Sequence, residues 1–137
     1  LHFVGNAVIG SGSRLSIDGS CKFGNNFIIS KSTIIICDKK IVFGDNVLIS
    51  WGVQIMDTSQ HSFGCLNEAI VKHIAGEVFI GNNVWIGSLV TILKNSKISD
   101  NSIIATNTLI NKLYQDSNIL IAGIPGRIIK KDVFWNY

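Results

Sequence analysis

A coil of short stacked β-strands is the fold this sequence predicts, on three observations. Isoleucine opens every sixth position at Ile80, Ile86, Ile92, Ile98, Ile104 and Ile110. Neither the 3.6-residue period of a helix nor the alternation of an isolated strand pair produces that spacing over such a length. Gly81-Asn82-Asn83 returns as Ser99-Asp100-Asn101 eighteen residues on, so three hexads make one turn. Finally, the chain of 137 residues is 47% hydrophobic with a mean hydropathy of +0.37, 15% charged residues and one proline. That balance suits a continuous narrow core and argues against disorder. Repeats this short indicate a solenoid of the parallel β-helix kind, all-β and a single domain over residues 1–137.

Within each hexad the isoleucine and the residue two before it point inward: Val84 with Ile86, Val90 with Ile92, Ser96 with Ile98. The residue between them points out. The corners hold Gly, Asn, Asp and Ser, which tolerate left-handed backbone or bond their own main chain in a turn. Successive coils are expected to stack at about 4.8 Å, the spacing of neighbouring strands.

Taken in order, residues 4 to 15 form a loose opening pair of hexads with overlapping anchors. From Phe23 the register is clear: Phe23 to Ile28, then Ile29 to Ile34, then a corner lengthened by two residues around Cys37-Asp38-Lys39-Lys40. It resumes at Phe43 to Leu48 and Ile49 to Gln54. After Ile55 the pattern breaks, and the chain leaves the coil over about 56–77, a length of irregular chain that is usually functional or disordered. This excursion carries two of the three histidines, His61 and His73. Past Ile110 the hexads fade into a C-terminal segment of about 113–137, with a strand or turn broken at Pro125 and a cationic tail.

The outward residue after each Gly-Asn-Asn corner is Ile28, Leu48, Trp85 or Ile103. These stack into an apolar ribbon, which marks an interface rather than scattered surface apolars; the equivalent positions on another face include Gln54, Thr91 and Lys97.

Twelve Lys and Arg against nine Asp and Glu leave a formal charge of +3, and no basic run is long enough for a nucleic-acid track. No apolar stretch reaches membrane-spanning length and no signal-peptide pattern is present, so membrane insertion is not expected. Cys21, Cys37 and Cys65 are odd in number and lack metal-type spacing, which predicts free thiols in a reducing cytosol. The chain starts at Leu1, mid-coil in this register, so a preceding segment that would cap the open strand edge is expected.

Ile80-Gly81-Asn82-Asn83-Val84-Trp85-Ile86-Gly87-Ser88, the hexads around it and the closing Ala122-Gly123-Ile124-Pro125-Gly126-Arg127 resemble the hexapeptide-repeat acyltransferases. The likeness is to the galactoside/maltose O-acetyltransferase branch and the sugar O-acetyltransferases of polysaccharide clusters, and it covers nearly the whole chain from Gly19. The resemblance implies a left-handed parallel β-helix, an exception to the usual right-handed crossover. It also implies a homotrimer with active sites between subunits, acetyl-CoA as donor, a saccharide hydroxyl as acceptor, and no metal.

By the same resemblance His61 is the catalytic histidine. Imidazole titrates near neutrality and can take the proton of an attacking hydroxyl and return it to the leaving thiolate, so no cysteine need act as nucleophile. Asp57, four residues earlier, orients the ring, binds the acceptor or is a solvated turn carboxylate. Trp51 walls the acceptor pocket or packs at the rim. Ser30 stands where the galactoside enzymes place an acceptor-binding asparagine. On the donor side, Trp85 and Ser88 correspond to residues beside the pantetheine arm, and Ala105 and Thr106 to the coil whose backbone lines it. Asn111 and Lys112 fall where the family commonly has Thr-Lys near the cofactor. Arg127 and Lys130 sit where cations meet the nucleotide phosphates, or else belong to a solvated basic tail. Ala105-Thr106-Asn107-Thr108 departs from the family's Gly-Ala-Gly-Ser.

Rival readings start from the same coil. A zinc hydratase needs three converging histidines, and His2, His61 and His73 have the wrong distribution for it. A non-catalytic or ice-binding scaffold needs flat ranks of threonine, which Thr91, Thr106 and Thr108 do not make. Among enzymes the alternative acceptor is an amine on a nucleotide-linked amino sugar, or serine.

Overall fold

Isoleucine at every sixth place becomes the inner wall of a three-sided prism. The computed structural model describes residues 1–69 and 74–136. The first coil comprises β1 (His2–Phe3), β2 (Ala7–Ile9) and β3 (Arg14–Ile17), and the second β4 (Ser20–Phe23), β5 (Phe27–Ile29) and β6 (Ile34–Cys37). The third is β7 (Lys40–Phe43), β8 (Leu48–Ile49) and β9 (Gln54–Met56), and the fourth β10 (Glu77–Ile80), β11 (Trp85–Ile86) and β12 (Thr91–Ile92). Next come β13 (Ser96–Ile98), β14 (Ile103–Ile104) and β15 (Leu109–Ile110), then β16 (Leu113–Tyr114), β17 (Ile119–Ala122) and β18 (Arg127–Lys131).

Every third strand joins the same parallel sheet. The first sheet runs β1-β4-β7-β10-β13-β16, the second β2-β5-β8-β11-β14-β17, the third β3-β6-β9-β12-β15. Only β18 runs antiparallel, folding back on β17 with a bulge between Leu120 and Ile121. The fold is thus the parallel β-helix of about six turns that the repeat predicts, with the left-handed sense that the resemblance implies.

The inward set is as expected: Val84, Ile86, Val90, Ile92 and Ile104 are fully buried. In the first coils, where isoleucine gives way to phenylalanine, Phe3, Phe23 and Phe43 form a stack with ring centroids 4.8 and 4.9 Å apart. That is the strand spacing imposed on aromatic rings. Phe27 fills the space beside them edge-on.

One corner explains the Gly-Asn-Asn triplets. The side chains of Asn25, Asp45, Asn82 and Asp100 each accept a hydrogen bond of 2.8 to 3.0 Å from a backbone N–H of the coil before. The following residues, Asn26, Asn46, Asn83 and Asn101, all hold φ between 52° and 56°. Asparagine tolerates this left-handed region better than most residues with a Cβ.

The partners in that ladder are nineteen and twenty residues apart in the early coils, eighteen in the later ones and 37 across the excursion. The early coils therefore carry lengthened corners, at Asp18-Gly19 as well as Asp38-Lys39. Gln54 and Thr91 share the third sheet, but Lys97 lies on the first, so the three do not share one face as expected. The apolar ribbon does form: Ile28, Leu48, Trp85 and Ile103 are successive partners across the second sheet. Among the described residues there is no helix, and so none long and apolar enough to cross a membrane.

Candidate functional site

The corner between the second and third sheets gathers most of the expected binding residues. Ser30, Ser50, Gly87 and Ala105 occupy one repeating place there, each donating its backbone N–H to the second-sheet strand of the next coil. Trp51, Ser88 and Thr106 occupy the next place, with Trp51 and Ser88 carbonyls accepting from Leu89 and Asn107 at 3.1 and 2.9 Å. A groove of about 400 Å³ opens here, lined by Ser50, Trp85, Ser88, Ala105, Thr106 and Leu120. Trp85 donates from Nε1 to Ser50 Oγ at 3.2 Å, and Thr106 Oγ1 donates to the Ser88 carbonyl at 2.7 Å. Trp51 is half exposed on the same corner. Sequence reasoning missed Ser50 and Leu120. Ser50 was recoverable as the residue one coil after Ser30 at the same corner place.

His61 sits on a different corner. The chain leaves the coil after β9 in the third sheet, at Met56, and re-enters at β10 in the first, at Glu77. The neck of this excursion is closed by Gly76 N–H on the Asp57 carbonyl at 2.8 Å. Lys94 Nζ holds the returning strand through the Ile74 carbonyl at 2.9 Å and the outgoing one through Ser59 Oγ at 3.4 Å. Gln60, at φ 57°, turns the backbone; its N–H bonds Thr58 Oγ1 at 3.0 Å, and Ser59 Oγ donates to the His61 carbonyl at 3.3 Å. His61 is exposed. His73 lies outside the described residues.

Asp57 corrects an expectation. It is fully buried, and its carboxylate is turned to the main chain. Oδ1 accepts from Asp38 N–H at 2.8 Å, and Oδ2 from Lys39 and Lys40 N–H at 2.8 and 2.7 Å. At the lengthened corner one coil earlier, Asp18, Gly19 and Ser20 donate their N–H groups to the Cys37 and Lys39 carbonyls; here the chain enters the excursion and the carboxylate takes the place of such carbonyls, since part-buried N–H groups left unpaired are costly. The carboxylate satisfies them, so it neither orients the imidazole nor meets an acceptor. Beside it, burial pushes the thiols of Cys21 and Cys37 up to about 12, with the Asp57 charge adding to the effect.

The basic residues divide. Lys112 and Arg127 line a second groove of about 300 Å³ with Tyr114, Gln115 and Asp116. Arg127 arrives there because the Gly123–Gly126 turn is tied down, with Tyr114 Oη donating to the Gly126 carbonyl at 2.7 Å and Gly126 N–H bonding Leu109 O at 2.8 Å. Asn111 is exposed on the coil corner beside Lys112. Lys130 is exposed on β18 opposite Leu120 and does not line this groove. Its neighbour Lys131 pairs with Asp116 at 2.8 Å. Among the described residues no three His, Cys, Asp or Glu side chains are placed to share a metal.

Six-residue rungs, an excursion bearing a histidine and a hydroxyl-rimmed corner groove stand together on this prism, and its repeat is similar to known proteins. Residues 77–112 match the family model described as bacterial transferase hexapeptide (six repeats). Over its whole length the chain is 32% identical to a 24.8 kDa protein of the cps region of Klebsiella pneumoniae, of which it covers 61%. It is also 32% identical, over 85% of its length, to the galactoside O-acetyltransferase of Escherichia coli strain K12, covering 56% of that relative. A solved structure of galactoside acetyltransferase in complex with coenzyme A superposes with a TM-score of 0.84 at 30% identity, over 96% of this chain and 64% of that one. The chain thus spans about three fifths of the length of these relatives.

Proposed function

We propose that this chain is an acetyl-CoA-dependent O-acetyltransferase acting on a saccharide hydroxyl in the cytoplasm, with His61 as general base. The carrying observation is the clustering of Ser30, Trp51, Trp85, Ser88, Ala105 and Thr106 on one corner, four of them around a single groove. Its wall is apolar at Trp85 and Leu120 and hydroxylated at Ser50, Ser88 and Thr106, which fits a pantetheine arm of alternating methylene and amide groups. Lys112 and Arg127, in the second groove, suit phosphate oxygens.

His61 and the first groove occupy different corners of one prism, so one copy does not bring base and donor together by itself. Two copies that meet corner to corner would, and the apolar ribbon of Ile28, Leu48, Trp85 and Ile103 supplies a surface for that contact. A homotrimer with three shared sites is the closed arrangement we assign.

The thioester supplies the acetyl group. His61 takes the proton from the acceptor hydroxyl as its oxygen attacks, and the same imidazole returns that proton to the departing thiolate, so the base is regenerated with no net change. Exposure of His61 leaves the ring open to an incoming sugar. Thiol release from acetyl-CoA against a panel of sugars, nucleotide sugars and serine tests the reading. His61→Ala is expected to lower turnover by at least about a hundredfold, within the range for a general base, while assembly and melting are kept; undiminished turnover would refute the role.

A further inference from the structure

The three outer faces of the prism differ in chemistry. The second sheet shows the apolar ribbon, and the third a mixture that includes Ile34, Gln54, Thr91 and Leu109. The first sheet is cationic. Its outward column pairs His2 with Lys22, Lys22 with Val42, Val42 with Phe79, Phe79 with Lys97 and Lys97 with Leu113. Lys40 stands in the neighbouring column, and Lys39 and Lys112 edge the face at the corner.

Phe79 is the centre of this face. Lys40 Nζ lies 5.1 Å from its ring centroid, and grooves of about 480 and 360 Å³ flank the ring. The larger is edged by Lys39, Asn95 and Lys112, the smaller by Lys97, Ser99 and Ser117. Acids on and beside the face are engaged. Glu77 is shared between Lys39 and Lys40 at 3.5 and 3.6 Å, and Asp100 accepts the Asn82 N–H.

We infer that the outer face of the first sheet is a track for an acidic polysaccharide, the polymeric form of the acceptor. The inference rests on the saccharide reading above and names its class. Stacked strands about 4.8 Å apart place cations along the prism axis at intervals, which suits carboxylates recurring along a chain. A flat aromatic face takes the apolar face of a sugar ring, and the hydroxyl and amide groups in the flanking grooves can bond its hydroxyls. A wide phosphate-binding surface would call for denser charge and for arginine, and neither is present on this face. The excursion bearing His61 re-enters the prism at Glu77, on this same sheet, so a chain lying on the track passes the excursion's point of re-entry.

The test is binding of fluorescently labelled polygalacturonate oligosaccharides, with dextran of equal length as the neutral control. Expected is selective binding of the acidic chain that weakens with salt and falls at least about tenfold in Lys22→Glu/Lys97→Glu, a loss of about 1.4 kcal/mol. The same variant should keep CoA affinity and transfer to small neutral sugars. Equal affinity for parent and variant, or equally tight binding of duplex DNA or acidic phospholipid vesicles, would overturn the track. Loss of all transfer to hydroxyls with glycan binding intact would count against the proposed function alone.

Discussion

The carboxylate of Asp57 accepts a 2.7 Å hydrogen bond from the backbone N–H of Lys40, seventeen residues earlier at the corner one coil before. Two further N–H groups, of Asp38 and Lys39, share the same carboxylate. Asp57→Ala should therefore destabilise the fold by about 2–4 kcal/mol, since three part-buried backbone donors lose a charged partner. Thermal or denaturant unfolding reads the loss. Asp57→Asn, which keeps one acceptor oxygen, should recover part of it.

The asparagine corner makes a second expectation. Asn46 holds φ 54° and accepts from Asn26 Nδ2 at 3.1 Å. Asn46→Val should cost about 1–3 kcal/mol, the range for a β-branched residue forced into left-handed backbone. Asn46→Gly should cost less, because glycine enters that region freely. If valine and glycine melted alike, the backbone account of the corner would fail.

Thiol ionisation should shape the alkaline limb of stability. Burial raises Cys21 and Cys37 from 9.0 to about 12, so the folded state holds these protons more tightly than the unfolded chain. Their contribution is complete below the unfolded value and is lost as pH rises toward 12, because the unfolded thiols ionise first. Unfolding free energy should fall from about pH 9 upward, and Cys21→Ala/Cys37→Ala should flatten that slope. Native protein should react with maleimide at exposed Cys65 alone, and at all three cysteines once unfolded.

Arg127 and Lys112 share a groove, and a guanidinium there would grip a phosphate dianion through paired N–H groups. Arg127→Ala is expected to weaken CoA by about tenfold, roughly 1.4 kcal/mol, and dephospho-CoA by less. Equal losses for both ligands, measured by calorimetry, would show that this side chain does not meet the 3′-phosphate.

How much of this was legible in the sequence follows from the reach of each interaction. Ile80 to Ile110 declares its rungs because a narrow prism admits only a small range of side chains inside, and that demand repeats with the backbone itself. The asparagine corners were legible for the same local reason, as was the excursion with His61, where the repeat simply stops. The residues of the corner groove came from the resemblance, and the repeat places Ser88 and Thr106 together because they lie one coil apart.

Stacking decided the rest. Asp57 reads as a loop acid until the preceding coil is laid against it and its unpaired N–H groups appear. Lys22, Lys40 and Lys97 are scattered along the chain, and coils of twenty, 37 and eighteen residues bring them to one face. Arg127 reaches Lys112 only because β18 turns back antiparallel. Inward or outward direction is set by backbone alternation within a rung, so sequence determines it. Which side chains share a surface depends on register between rungs of unequal length, and only the assembled prism determines that.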